Sequence, residues 1–272
     1  MRTLRSTIKG VLVALIVPAL FVFVWWLVVE ANLYPRAFLP SPVAVLSALV
    51  EWVAGFSFVD NPAPGYAGTW FESVAVSAQR VLIGYATGSL LGIVLGGLLG
   101  YIPLVRRLAE PFLNMLRAIP IIGWLPLSLV FFGLGVGSAI FLVALGVVFP
   151  VTIATMGAVS GVQPSLLRVG QMVGANRLQL ARHIILPAAL PGIITGLRVA
   201  MGFAWILIIV AEWVAVRVGL GFTLLDAYNF IRYDYVIAAM VSVGLVGFVS
   251  DRLVWLLSRP ALRWYTETTL GG

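Results

Sequence analysis

The 272-residue chain has no cysteine, one histidine (His183) and one lysine (Lys9). Without cysteine there is no disulfide, no thiolate metal site and no cysteine nucleophile. A single imidazole excludes a histidine-rich metal centre and leaves little for general acid–base chemistry near neutral pH. A phosphate-binding loop needs Gly-Lys-Ser/Thr after a glycine-rich turn, whereas the lone lysine stands in Lys9-Gly10, so nucleotide hydrolysis has no evident site in this chain. Charge is also scarce. Only 10% of residues are charged and 61% are hydrophobic, with a mean hydropathy of +1.08, where a soluble domain is about half apolar and about one quarter charged. A single water-soluble globule is excluded. The net charge of +7 therefore becomes a question of topology across a bilayer, not a footprint for nucleic acid.

What is present is a series of apolar runs. A membrane helix needs about 20 mostly apolar residues, and residues 11–29 supply the first after Arg2, Arg5 and Lys9. A secretory signal is the competing reading, opposed by the length of the run, by Trp25-Trp26 at its end and by the lack of a small-residue cleavage pattern before Glu30. Residues 81–105 form the second run, with Gly92, Gly96 and Gly100 on one face where another backbone can approach. From Ala118 to Leu167 no Asp, Glu, Lys or Arg occurs. A continuous helix of that length would reach about 75 Å, more than twice the core of about 30 Å, so the run must turn back. Gly133-Leu134-Gly135-Val136-Gly137-Ser138 is the expected turn, between spans at about 110–132 and 139–158. Pro120 and Pro126 should kink or locally break the former. Spans at about 188–212 and 235–257 bring the total to six. Between the first two, Leu39-Pro40-Ser41-Pro42 opens a short interfacial helix with Ser41 as N-cap, and Asn61-Pro62-Ala63-Pro64-Gly65 reads as an extended loop.

Six spans put both termini on one side. That side carries Arg2, Arg5, Lys9, Arg106, Arg107, Arg168, Arg177, Arg182, Arg252, Arg259 and Arg263, against Arg36, Arg217 and Arg232 on the other. The bias predicts that both termini are cytoplasmic and that the arginines face anionic lipid headgroups or a cytoplasmic partner.

The connection at 159–187 is the longest on the cytoplasmic side. Ser165 is a candidate cap for a helix whose Leu166, Val169 and Val173 share a face beside Met172, ending near Gly174. Such a helix suits a protein groove or the headgroup surface equally well. Its spelling decides. Gly174, nine residues, then Ile184-Ile185-Leu186-Pro187 resembles the second half of the EAA motif (Glu-Ala-Ala, three residues, Gly, nine residues, Ile, one residue, Leu-Pro) of permease subunits in binding-protein-dependent ABC importers. Pro187-Ala188-Ala189-Leu190-Pro191-Gly192, Thr195-Gly196-Leu197-Arg198-Val199-Ala200, Ala211-Glu212, Leu39-Pro40-Ser41-Pro42 and Arg117-Ala118-Ile119-Pro120 look like the subfamily handling nitrate, taurine and aliphatic sulfonates. The resemblance covers roughly residues 12 to 264.

The resemblance implies an all-α type I importer permease of the prokaryotic inner membrane, working as a homodimer with a solute-binding protein and two ATPase subunits that carry ATP and Mg. No cofactor is expected in this chain. ATPase coupling falls on Leu166, Arg168, Val169, Val173, Gly174, Ala175, Ile184, Leu186 and Pro187. The Glu-Ala-Ala positions hold Arg168-Val169-Gly170, so the acidic contact of the motif does not carry over. Either the ATPase offers an acid near Arg168, or docking rests on Leu166, Val169, Val173 and the Gly174 turn.

Arg80, Arg117, Arg198 and Glu212 are the ionisable groups expected at or near membrane depth and are candidates for the transport path. The alternative is that they pair with one another or with carbonyls freed at Pro120 and Pro191. A secondary carrier driven by an ion gradient is the rival function. It would lean on intramembrane acids, of which only Glu212 stands out, and on repeated halves, which are not evident.

Overall fold

This computed structural model describes residues 2–35, 37–58, 63 and 65–262, with side chains from residue 16 onward. The side chains of Arg2, Arg5 and Lys9, all of Arg36 and Arg263, and most of the Asn61–Gly65 loop lie outside the described residues. Among those described, every regular element is helical. Among the described residues four helices are long and apolar enough to cross a membrane, or five if one bent pair counts as a single span. The chain divides into two compact units, residues 1–73 with 223–242, and residues 74–222 with 243–272.

In the first unit, α1 (Arg2–Glu30) ends at Asn32 in the left-handed region (φ 49°). Helix α2 (Pro42–Ala54) starts as expected. Ser41 Oγ accepts from the Ala44 amide at 3.2 Å, and Pro42 takes the first position, where its missing N–H costs nothing. Trp52 on α2 is fully buried, and the Tyr235 ring lies 6.5 Å from it and 4.7 Å from Tyr66. The Tyr66 hydroxyl donates to Asp226 at 2.7 Å. Burial, with that carboxylate beside it, pushes the phenol well above its ordinary range and keeps it a donor.

The second unit is built around α6 (Val136–Ser160). On one side lies α3 (Trp70–Tyr101), which starts well before the expected residue 81. Its glycine face is longer than anticipated, with Gly84 and Gly88 preceding Gly92, Gly96 and Gly100. A methyl added at Gly88 would stand 2.5 Å from the Ala144 carbonyl oxygen, and one at Gly96 2.5 Å from that of Thr152. On the other side lies α9 (Leu186–Ala215), where Gly192 meets Ala158 and Gly196 meets Ala154.

The expected single span at 110–132 needs correction. Helix α4 (Pro103–Ala118) begins earlier, just after Ile102, whose extended conformation before proline ends α3. Pro120 breaks the helix locally, one of the two outcomes expected of it. Ile119 is driven to extended geometry (ψ 120°), a 3-10 turn covers Ile121–Trp124, and α5 (Leu125–Phe132) leaves at 88° to α4. Pro126 sits in the first turn of α5, where it is tolerated. The turn between α5 and α6 falls at Gly133 and Gly135, as expected.

The glycine face makes a direct prediction. Gly88→Ala should cost about 1–3 kcal/mol through forced separation of α3 and α6. Gly97→Ala, with nothing within 4 Å, should be neutral or stabilise by up to about 1 kcal/mol. Thermal unfolding in detergent measures both; equal melting temperatures would contradict the packing.

Candidate functional site

The connection from α6 to α9 is folded throughout. Helix α7 (Pro164–Met172) starts at Pro164, with Gln163 as an N-cap that makes no side-chain bond. Ser165 therefore lies inside the helix and is not its cap, because Pro164 already fills the first position. The helix closes in a Schellman motif. Gly174 N–H donates to Gln171 O and Ala175 N–H to Gly170 O, both at 3.0 Å, and Gly174 takes φ 80°, which favours glycine. Asn176 and Gln179 then form a reciprocal capping box for α8 (Arg177–Leu180). A π-helical turn (Ala181–Ile185) leads into α9.

This arrangement divides the expected coupling residues into two sets. Leu166, Arg168, Val169 and Val173 are exposed, Val169 by 59% and Val173 by 79%, together with Met172 at 83%. Leu178, which the sequence reading passed over, is exposed by 76% and adds to the apolar surface. Ile184 is half-buried, and Leu186 and Pro187 begin α9. Gly170 is buried, and a methyl there would meet Leu180 and Ile184 at 2.5 Å. A small residue at that position lets α7 lie directly on the following turn with Leu180 and Ile184 in place. The Tyr101 hydroxyl at the end of α3 donates to Arg177 O at 3.2 Å, and a cavity of about 360 Å³ separates Leu167 and Leu180 from Ile102 and Pro103.

Two of the candidate charges form a buried knot. Arg80 on α3 and Glu212 on α9 pair at 2.6 Å, with 6% and 0% of their side chains exposed. Ser77 Oγ lies 2.8 Å and 3.0 Å from the two carboxylate oxygens and accepts from the Leu220 amide at 2.9 Å. Gly221 N–H donates to Glu212 Oε2 at 2.9 Å, and Arg80 Nη1 donates to Val218 O at 2.7 Å. The turn into α10 (Leu220–Asn229) is thus tied to the carboxylate. Gly219 (φ 139°) must be glycine twice over, since a methyl there would collide with the Glu212 carboxyl.

Arg198 makes a two-point pair with Asp251 on α11 (Tyr233–Ser258), Nε to Oδ1 at 2.9 Å and Nη2 to Oδ2 at 2.7 Å. Asp251 falls within the expected sixth span and escaped the sequence reading, which weighed Glu212 as the intramembrane acid; its position in an apolar run was the available signal. Arg117 differs from the other three candidates. It is exposed at the end of α4, one turn before the 88° bend, and no carboxylate among the described residues pairs with it.

Residues 88–261 match the family described as binding-protein-dependent transport system inner membrane component. The chain belongs to that family. It is 35% identical over 253 residues to a putative ABC transporter permease protein of Methanocaldococcus jannaschii, covering 92% of this chain and 91% of that one. It is 32% identical over 249 residues to the taurine transport system permease protein of Escherichia coli (92% and 88%). A nitrate import permease of Leptolyngbya laminosa is 36% identical over 188 residues (69% and 67%). A chain of the MetNI methionine ABC transporter, solved in inward-facing conformations, superposes with a TM-score of 0.55 at 21% identity, covering 70% of this chain and 96% of that one. This inner-membrane component is therefore a multi-pass transport permease with the type I ABC importer fold and not a catalytic enzyme, as the motifs implied.

For this permease, Glu212→Ala should lower stability by about 3–5 kcal/mol, because Arg80, the Ser77 hydroxyl and the Gly221 amide lose their buried counterpart. The double variant Arg80→Met/Glu212→Leu should recover much of the folded yield in detergent. No recovery would mean that the pair is needed as charge and not as packing.

Proposed function

We propose that the chain is the membrane subunit of an ATP-driven importer for a small anion, a sulfonate such as taurine or nitrate, delivered by an extracytoplasmic binding protein. The names of its relatives support the solute class. The observation that carries the mechanism is the outward apolar face of α7, held rigid by the Gly174 turn and the Asn176–Gln179 box. A groove on an ABC ATPase subunit is the partner such a face fits.

In this reading α7 is the coupling helix. Two ATPase subunits bind ATP and Mg, and their closure pushes on α7 and switches the spans between inward-open and outward-open states. The permease works as a homodimer with the path at its two-fold axis. Adding α1 to the five apolar spans makes six, with both termini and α7 in the cytoplasm, following the arginine bias. Leu166, Val169 and Val173 supply apolar contact, and Arg168 faces an acid of the ATPase. Ala175, Ile184, Leu186 and Pro187 fix the angle at which α7 meets α9.

Among the candidate path residues, Arg117 meets the solute. It has the exposure and the unpaired guanidinium that an anion requires, and the broken backbone at Pro120 suits a water-lined path. Arg80, Glu212 and Arg198 hold helices together.

Detergent extracts of the tagged protein should contain an ABC ATPase subunit, and uptake into vesicles should require ATP. Arg117→Gln should lower uptake by about tenfold or more, since a charge-assisted hydrogen bond is worth about 1.5–3 kcal/mol, while assembly with the ATPase is retained. ATP-independent uptake by the permease alone would establish an ion-driven carrier instead. Unchanged uptake by Arg117→Gln would remove that residue from the path.

A further inference from the structure

Helix α4 has no buried side chain and two contrasting faces. Leu104, Leu108, Phe112 and Met115 follow one another at intervals of four, four and three and are 67%, 73%, 56% and 61% exposed. Arg106, Glu110, Asn114 and Arg117 repeat the same intervals two residues further on. Two residues turn a helix by about 200°, which sets the second group on the opposite face from the first. The first face suits hydrocarbon. The second does not: Asn114 and Arg117 are exposed, and Arg106 and Glu110, paired from Nε to Oε2 at 3.0 Å, are each more than one third exposed.

A helix with such faces ordinarily lies flat where headgroups meet hydrocarbon. The packing of α4 argues against that position. Glu110 and Asn114 meet Phe149, Thr152 and Met156 of α6 around a small cavity of about 20 Å³, and α6 has the length and composition of a full span. Its midpoint is Val148, so Thr152 stands about 6 Å from the midpoint along the axis, well inside a hydrocarbon half-thickness of about 15 Å. The cavity holds a second signal. Thr152 is 3% exposed, and its hydroxyl has no partner among the described residues, although a threonine inside a helix can return that bond to the carbonyl one turn back. An unpaired buried hydroxyl is costly, and the cavity exceeds the roughly 10–15 Å³ that one water requires.

We propose that the α4–α6 seam is a hydrated limb of the solute path between the bend at Pro120 and the α7 end of α6, with Asn114 as a further residue that meets the anion and Thr152 as the holder of a structural water. The proposal rests on the reading of Arg117 as the solute contact and extends it, since Asn114, three residues away, is its neighbour on the same face. Charge selects the occupant. Arg107, seven residues before Asn114, joins Arg106 and Arg117 on this side against Glu110 alone, and Glu110 is taken by Arg106. The surplus is positive, and the neutral Asn114 amide between Arg107 and Arg117 supplies N–H donors. Lipid tails offer these groups nothing, and ionisable groups at membrane depth face protein or water. A second copy packed here about a two-fold axis would bring like charges together.

Because the chain has no cysteine, single ones can replace Asn114 and, on the opposite face, Phe112 and Met115 in the full-length permease with its ATPase in inside-out membrane vesicles. The probes are an anionic and a cationic methanethiosulfonate, neither of which crosses the membrane. A thiol must ionise to react, which requires water around it. Asn114→Cys should react about tenfold or more faster than Phe112→Cys and Met115→Cys. After each reagent's rate is divided by its rate with a free thiol, the anionic one should lead by about tenfold. Thr152→Val keeps nearly the same shape without the hydroxyl, and the melting temperature in detergent should fall by about 2–4 °C as the water loses a bond. Asn114→Cys no faster than the two controls overturns the hydrated limb. Equal normalised rates overturn the anion assignment, and a melting temperature unchanged or raised in Thr152→Val overturns the water. None of these readouts uses uptake, so failure of the Arg117 reading, seen as unchanged uptake by Arg117→Gln, is scored separately.

Discussion

Helix α6 meets its neighbours through residues that have almost no side chain. Glycines at four-residue intervals on α3 lie against its valines and carbonyls, and Gly192 and Gly196 of α9 lie against its alanines. In hydrocarbon, apolar side chains gain little by leaving lipid for one another, so helix association rests on close approach and van der Waals contact. Glycine permits the closest approach. The consequence is a rigid α3–α6–α9 set. The remaining features of the second unit are attached to it: α7 and α8 connect α6 to α9, and the buried knot of Arg80 with Glu212 fastens α3 to the end of α9.

In the proposed mechanism, that rigidity is what lets the loop formed by α7 and α8 act as a coupling element. A force on an isolated surface helix would be absorbed by a flexible connection. Here α7 is closed by a Schellman turn, packed through Gly170 onto Leu180 and Ile184, and tied through Arg177 O to Tyr101. Displacement of α7 therefore reaches α3, α6 and α9 together. Helix α4 stands apart from this set, since none of its side chains is buried and it ends at the 88° bend.

Much of this was legible in the sequence, for reasons that can be named. Apolar runs of membrane length and the spacing from Gly174 to Leu186-Pro187 depend on periodicity and local backbone geometry. Ser41-Pro42 and the Gly133–Gly135 turn were found because caps and turns are local. Other features were hidden because they depend on tertiary partners. Ser77 and the Gly221 amide approach Glu212 only after the turn beyond α9 folds back, and Asp251 becomes the partner of Arg198 only when α9 and α11 lie together. The break at Pro120 was visible, but its 88° angle was not, because a proline removes a hydrogen bond without setting the direction in which the chain continues. Ser165 misled because Pro164, one residue earlier, is the stronger helix start.

The central claim is that the exposed face of α7 is the surface through which ATP-driven motion enters. The absence of cysteine allows a direct measurement. Single cysteines at Val169 and Val173, and as a control at Thr87 on α3, are treated with a water-soluble maleimide in the permease alone and in its complex with the ATPase. The account predicts that labelling at 169 and 173 is rapid in the free permease and blocked in the complex, and that Thr87 is unaffected by the ATPase. Equal labelling of 169 and 173 in the presence and absence of the ATPase would contradict it.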